Sequence, residues 1–372
     1  MRANVIGLVA VVALVSCCFA RDATGWYQLL WTEVDFGNGA FTLGDYALYN
    51  GAFLDEQTKR DLTSSVPSDG LSFFAHASTR ASYEIGGKFS VGGRLRVGQY
   101  ASLPKDVLDL ILFGNEMERT YSLEDARGEA SALAELSFGY RHRLSSVGGV
   151  TLGGSFKVIK GFGYGVISQA EGTLFSGEEG ISGDGVLSVL SSRRGSGYGL
   201  DVWAEKIYSN MRMRLYIEDL YTVVTWRDCD EEINRILVDL DAGEVPSDSL
   251  VETVHEVRKV TVFEQRLKPR VELTLARAWD NWLVGVAYSQ SLGWSAFGSG
   301  RPHLEVSCMR DLTGWLSLEA ELGWDGEAGP TQALGIWIGK ITPFVLRLTS
   351  SPAPLPSSMK SFSVAIGLLR QM

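Results

Sequence analysis

Between Pro269 and Leu369 apolar residues recur at every second position, and no other feature constrains the chain as much. The runs are Val271/Leu273/Leu275/Trp279, Trp282/Val284/Val286/Tyr288, Leu304/Val306/Cys308, Leu316/Leu318/Ala320/Leu322/Trp324, Leu334/Ile336/Ile338, Phe344/Leu346/Leu348 and Phe362/Val364/Ile366/Leu368. Asp280-Asn281, Asp311–Gly314, Asp325–Pro330 and the Ser/Pro stretch Ser350–Ser358 separate them. Period-2 alternation bounded by turn residues predicts successive antiparallel strands, here a meander of seven.

The residues between carry the other face: Glu272, Gly285, Ser289, Glu305, Ser307, Ser317, Glu319, Glu321, Gly335, Lys340, Arg347, Ser361 and Ser363. In a soluble sandwich this polar face meets water; in a transmembrane barrel it lines the lumen while the apolar face meets lipid. Alternation fits both. Tryptophan favours the barrel, though aromatic caps on a soluble β core fit too: Trp279 and Trp282 bracket a turn, Trp294 and Trp324 end runs, and Trp315 begins one. Aromatic residues gathered at strand ends form the interfacial girdle of a membrane barrel. The expected fold is therefore all-β, an antiparallel transmembrane barrel of about 14 strands with a few short helices.

A net charge of −10 leaves no basic face to displace counterions, which argues against a nucleic-acid partner. A mean hydropathy of +0.04 with 21% charged residues excludes a bundle of membrane helices. Residues 1–20 read as a signal peptide: Arg2, the apolar Val5–Val15, then Cys18-Phe19-Ala20 before the cut. A lipoprotein signal ending at Cys17 is the competing reading. Export permits a Cys229–Cys308 disulfide without requiring one.

Residues 21–67 are rich in glycine and asparagine, as in Gly37-Asn38-Gly39 and Tyr49-Asn50-Gly51, which suits an irregular segment able to plug a lumen. Residues 68–372 form the expected barrel. Asp55–Leu62 is a short amphipathic piece, and Leu103–Gly114, with Pro104 at its start and Gly114 at its end, is a short apolar helix. Asp228–Lys259 interrupts the barrel as a long acidic excursion outside the membrane. Ile233, Ile236, Leu237 and Leu240 recur there at helical spacing, so it is expected to be partly helical. Its carboxylates match no calcium loop and read as a solvated face.

The chain lacks the G-x-S-x-G and H-E-x-x-H motifs, and Gly161–Gly165 has the wrong spacing for a dinucleotide loop. Ser357–Lys360 fits S-x-x-K by chance composition of a loop. His76, His142, His255 and His303 are scattered. No catalytic residue, metal or cofactor is expected. Arg94, Arg96, Lys157, Glu272, Glu305, Glu319, Glu321, Lys340 and Arg347 read as a mixed-charge lumen lining.

Gly37–Asp45, Pro104–Asn115, Gly161–Gly165 and Gly197–Asp201 resemble stretches of predicted outer-membrane barrels from spirochaetes, a family distantly similar to the FadL-type long-chain fatty-acid transporters. Pro104–Asn115 is the most specific of them. The resemblance implies about fourteen strands, an N-terminal hatch, an outer-membrane location reached through the barrel-assembly machinery, and passive uptake of hydrophobic molecules such as fatty acids. A ligand would meet a groove formed by Leu108, Ile111, Leu112 and Phe113 and pass beside a hatch containing Asp45, Asn50 and Gly51. Asn50-Gly51-Ala52 departs from that family's Asn-Pro-Ala element, and the chain ends Arg370-Gln371-Met372 without a terminal aromatic. The alternative is a surface-exposed structural or adhesive barrel without transport.

Overall fold

The computed structural model describes residues 26–42, 44–45, 54–68, 70–145, 149–241, 251–298, 300–339, 344–351 and 358–371. The signal segment, Asn50, Gly51 and Lys340 lie outside them. The strands are β1 (Trp26–Asn38), β2 (Leu71–Ile85), β3 (Phe89–Leu103), β4 (Arg119–Ser122), β5 (Arg127–Leu144), β6 (Val150–Gly177), β7 (Gly180–Ser192), β8 (Arg194–Tyr208) and β9 (Met211–Asp241). They continue as β10 (Val251–Arg266), β11 (Arg270–Trp279), β12 (Trp282–Ser291), β13 (Pro302–Thr313), β14 (Leu316–Asp325), β15 (Gly329–Ile338), β16 (Phe344–Ser351) and β17 (Ser361–Gln371). Two helices are described, α1 (Glu56–Ser65) and α2 (Lys105–Phe113).

Fourteen antiparallel strands close into a barrel, because β1 pairs with both β17 and β2. The wall runs β1, β2, β3, β5, β6, β8, β9, β11 and then β12 to β17 in order. The remaining three strands, β4, β7 and β10, join the upper halves of β6 and β9 and carry the sheet past the wall. At one end lie the start of β1, the end of β17 and tight turns such as Gly86-Gly87 and Asp280-Asn281. At the other lie the long connections, α1, α2 and the extension. Short turns at one end and long loops at the other are the habit of outer-membrane barrels.

The two faces follow the alternation. Leu273, Leu304, Val306, Leu318, Leu322, Leu334, Ile336 and Leu348 are exposed on the outside, whereas Ser289, Glu321, Ala333 and Val345 are buried inside. At the turn end Tyr83, Phe89, Tyr140, Tyr208, Trp279, Trp282 and Trp315 are exposed in a belt. Arg277 and Arg310 lie over Trp279 and Trp282 at 4.7 and 4.8 Å, which puts cation and aromatic together where a headgroup region needs them. Trp294 is the exception among the expected girdle residues. Its ring packs edge-on against buried Tyr100 at 5.5 Å, inside the barrel.

Two sequence expectations are corrected here. The expected hatch at 21–67 includes a wall strand: Trp26–Asn38 is β1, in register with β17 from Trp26↔Gln371 to Gly37↔Ser361. A closed barrel has no free edge, so its first strand must bridge its last and its second. The acidic excursion is not helical where it is described. Residues 228–241 and 251–259 are strand, because β7 and β10 hydrogen-bond to both edges of upper β9. Cys229 and Cys308 are both free thiols.

A lipid-facing charge tests this facing. Leu334, 69% exposed at the middle of β15, meets the bilayer centre. Leu334→Arg is expected to cost ~2–4 kcal/mol and to lower the yield of heat-modifiable, folded barrel. Ser317→Arg, on the inner face of β14, is expected to assemble normally. Equal yields from the two variants would overturn the facing.

Candidate functional site

The wall is irregular at one place. Between the pairs Leu200↔Tyr221 and Val202↔Ile217, β8 places one residue, Asp201, against three of β9, Glu218 to Leu220. Asp219 has φ +52°, a left-handed conformation that aspartate tolerates better than most residues. Its backbone N–H leaves the ladder and donates to Asp201 Oδ1 at 2.7 Å. On its other edge β9 changes partner at the same level. Pairing with β11 stops at Glu218↔Arg270, and pairing with β10 starts at Val223↔Arg266. Leu267 N–H donates to Thr222 O at 3.1 Å, and Pro269 has no N–H to offer. Residues 219–222 therefore lack a regular ladder toward β10 and β11, and Glu218–Leu220 lack one toward β8.

Inside the barrel this break is lined with charge. Buried charges persist only when paired. The Arg96 guanidinium, in a residue only 2% exposed, meets Glu135 at 2.5 Å and Asp219 at 2.8 Å. Lys157, equally buried, reaches Asp201 at 2.8 Å and Asp219 at 2.5 Å. Arg94 pairs with Glu218, and Thr222 Oγ1 donates to Asp219 Oδ1 at 2.9 Å. Five wall strands, β3, β5, β6, β8 and β9, are thus tied together across the lumen.

The β12–β13 connection folds into the same space. Ser295 and Gly298 exchange backbone hydrogen bonds of 2.9 and 3.2 Å in a tight tip, with Gly293 and Gly300 at φ +138° and +81° at its feet. Phe297 lies 4.5 Å from the Arg96 guanidinium and edge-on to His76 at 6.0 Å. Ala296 is buried against Gly98, where an added Cβ would come within 2.3 Å of Ala296 O. Next to this tip sits an apolar stack: Tyr164 lies between Trp226 at 5.1 Å and Phe263 at 5.5 Å. Trp226 Nε1 donates to Gln265 Oε1 at 3.0 Å, and Gln265 Nε2 donates to Glu129 at 2.6 Å. The cavity left among His76, Arg94, Arg96, Asp219 and Phe297 measures about 20 Å³, room for one water.

The other expected lining residues fall into a second group. Arg347 pairs with Glu305 at 3.4 Å and with Glu321, and Glu319 accepts from Trp337 Nε1 at 3.0 Å. His303 stands between Glu305 and Asp325, 3.4 Å from each. Glu272 is half-buried on the inner face of β11. Glu305 and Glu321 therefore meet Arg347, and Glu319 meets Trp337, rather than Arg94, Arg96 or Lys157.

At the loop end α1 and α2 lie side by side. The expected groove residues are spread over α2 instead of forming one surface. Leu108 and Leu112 pack on Ala40, Val66 and Leu71, Ile111 is 68% exposed, and Phe113 faces α1. A cleft of about 380 Å³ between the helices is lined by Glu56, Arg60, Thr63, Asp109, Phe113 and Arg119, among others. Asp109, and with it Glu116, keeps the Arg119 guanidinium firmly charged and raises its pKa. Asp45 closes a local turn, accepting from Thr42 N and Oγ1 at 2.7 and 2.8 Å, and does not reach a lumen cation.

Glu135, Asp201, Glu218, Asp219 and Phe297 were not among the expected site residues. One signal for them was in the sequence: Glu218-Asp219 breaks the alternation of Met213, Leu215 and Ile217 with two successive acids.

A family of unknown function (DUF5723) matches residues 32–213. No curated protein matches the chain. Among solved structures, the Ralstonia pickettii toluene transporter TbuX is 9% identical with a TM-score of 0.47, covering 92% of this chain and 89% of that one. A Pseudomonas aeruginosa FadL homologue is 9% identical with a TM-score of 0.46, covering 92% and 90%. The Pseudomonas putida toluene transporter TodX is 10% identical with a TM-score of 0.45, covering 91% and 87%.

Proposed function

We propose that this barrel carries small hydrophobic molecules across an outer membrane passively, releasing them sideways through its wall. The observation that carries the reading is the irregular ladder of β9, interrupted toward β8 at Glu218–Leu220 and toward β10 and β11 at Asp219–Thr222, beside the charged network and the β12–β13 tip. A molecule entering from the loop end meets charge and Phe297 ahead of it, and irregular backbone beside it. Backbone of this kind is tolerated at membrane depth only against a protein-lined cavity. Outside the break, Leu220 and Tyr221 are exposed and give an apolar rim. Capture falls to the α1–α2 cleft, with Phe113 as its apolar wall. The reading asks for binding and gating and for no covalent chemistry.

Removing the bulge tests it. Deleting Asp219 and Leu220 brings β9 back into step with β8. Cells bearing this variant are expected to take up a labelled long-chain fatty acid at least ~10-fold more slowly, a rise of about 1.4 kcal/mol in the passage barrier. The purified barrel should remain heat-modifiable. Leu220→Ala, which keeps the bulge, is expected to transport normally. Unchanged uptake by the folded deletion variant would overturn lateral release and favour the structural or adhesive barrel.

A further inference from the structure

The strand β10 leaves one hydrogen-bonding edge unused. It pairs with β9 from Val251↔Val238 to Arg266↔Val223, and among the described residues no strand lies on its other side. Every residue from Thr253 to Lys259 is exposed, on both faces of the ribbon. Val254 and Val257 are 44% and 52% exposed, apolar side chains standing beyond the barrel wall. An edge of this length, bare and partly apolar, is a template for another strand.

The side chains on this edge state which strand fits. Around Val257 the sequence Thr253-Val254-His255-Glu256-Val257-Arg258-Lys259-Val260-Thr261 reads alike in chemistry from both directions. In an antiparallel pair with a second copy, centred on Val257, Val257 meets itself. Glu256 meets Arg258 twice, Val254 meets Val260 twice and Thr253 meets Thr261 twice, while His255 meets Lys259, neutral against cation at pH 7. These are the cross-strand pairs that stabilise antiparallel sheets: opposite charges, β-branched pairs and threonine pairs. A two-fold pair must place one residue opposite itself, and in this register that residue is Val257. A shift of the centre by one residue, onto Glu256 or Arg258, would put like charges face to face. An isologous contact of this kind is the commonest way for identical chains to associate.

We infer that the β10 edge is an interface between two copies of this chain, joined antiparallel about Val257 into one sheet running from extension to extension. An antiparallel join turns one hairpin end for end against the other. Hairpins standing along the barrel axis therefore connect barrels in facing membranes, and hairpins lying over connect neighbours in one membrane.

A single cysteine tests the register. With the four native cysteines replaced by serine, Val257→Cys places two thiols across the two-fold, where opposed Cα atoms lie ~4.5–5.5 Å apart, within disulfide range. The full-length protein in detergent is expected to form a disulfide-linked dimer under mild oxidation. Val254→Cys, separated from its own copy by ~20 Å at ~3.3 Å per residue, is expected to stay monomeric. Without cysteines, Glu256→Arg should convert dimer to monomer by light scattering, and Glu256→Arg with Arg258→Glu should restore the dimer. Mixing two vesicle populations then separates the geometries: aggregation indicates facing membranes, and dimer within one population alone indicates neighbours. Equal cross-linking at 254 and 257, or failure of the charge swap to restore the dimer, would overturn the interface.

Discussion

The Arg96→Ala barrel is expected to unfold in urea with about 3–5 kcal/mol less stability than the parent. Arg96 is fully enclosed and contacts Glu135, Asp219 and the Phe297 ring. Truncation removes one cation, leaving buried Glu135 without its ion-pair partner and Asp219 with Lys157 alone. That penalty comes mainly from the groups left behind, so it should shrink when they are neutralised. The triple variant Arg96→Met, Glu135→Gln, Asp219→Asn is expected to recover most of the loss, as isosteric replacement of buried ion pairs often does. Urea titrations of the barrel in lipid vesicles give both numbers. If the single and triple variants unfold at the same midpoint, the network does not hold the lumen together.

The second large effect concerns passage. Gly98→Ala places a methyl group 2.3 Å from Ala296 O and 2.6 Å from Phe297 Cδ1, and neither atom can share that space. Backbone has to move, and the glycine feet of the tip, Gly293 and Gly300, are where it bends most easily. Overpacking of this kind costs about 1–3 kcal/mol, enough to displace a loop without unfolding a barrel. Reconstituted Gly98→Ala is expected to show several-fold higher single-channel conductance. Gly93→Ala, where the nearest atom to the new methyl is 3.8 Å away, serves as the control and should behave like the parent. Equal conductance of the three proteins would mean that the β12–β13 tip does not stopper the lumen.

These two experiments replace one that the sequence alone would have recommended, deletion of the glycine-rich N-terminal stretch. Removing Trp26–Asn38 would delete a wall strand. The role of that strand is set by β17, at the far end of the chain, and no local pattern records such a partner. The C-terminal meander was legible because lipid on one side and a wet lumen on the other impose a strict two-residue period on strands such as β14 and β15. Upper β9 was not. Both faces of the extension are solvated, so Ile233, Ile236, Leu237 and Leu240 were free to fall at helical spacing while hydrogen bonds to β7 and β10 held them in a strand. The site was legible in part. Arg94, Arg96 and Lys157 stood out as cations on a polar face, but their partners come from β5, β8 and the bulge of β9. A bulge is decided by how two strands count against each other, which one strand's sequence does not contain.

Closure of the wall by β1 and β17 also governs how the molecule comes into being. Residue 26 pairs with residue 371, so the last ladder forms only when the whole polypeptide is present. Nearly every strand contact before it is with a sheet that still has two raw edges, and such sheets are slow to form and prone to aggregate. A chain lacking β17 would leave β1 and β16 each with one unpaired edge. Closure of the wall thus waits for β17, and until it pairs, the edges of β1 and β16 stay open to the wrong partner.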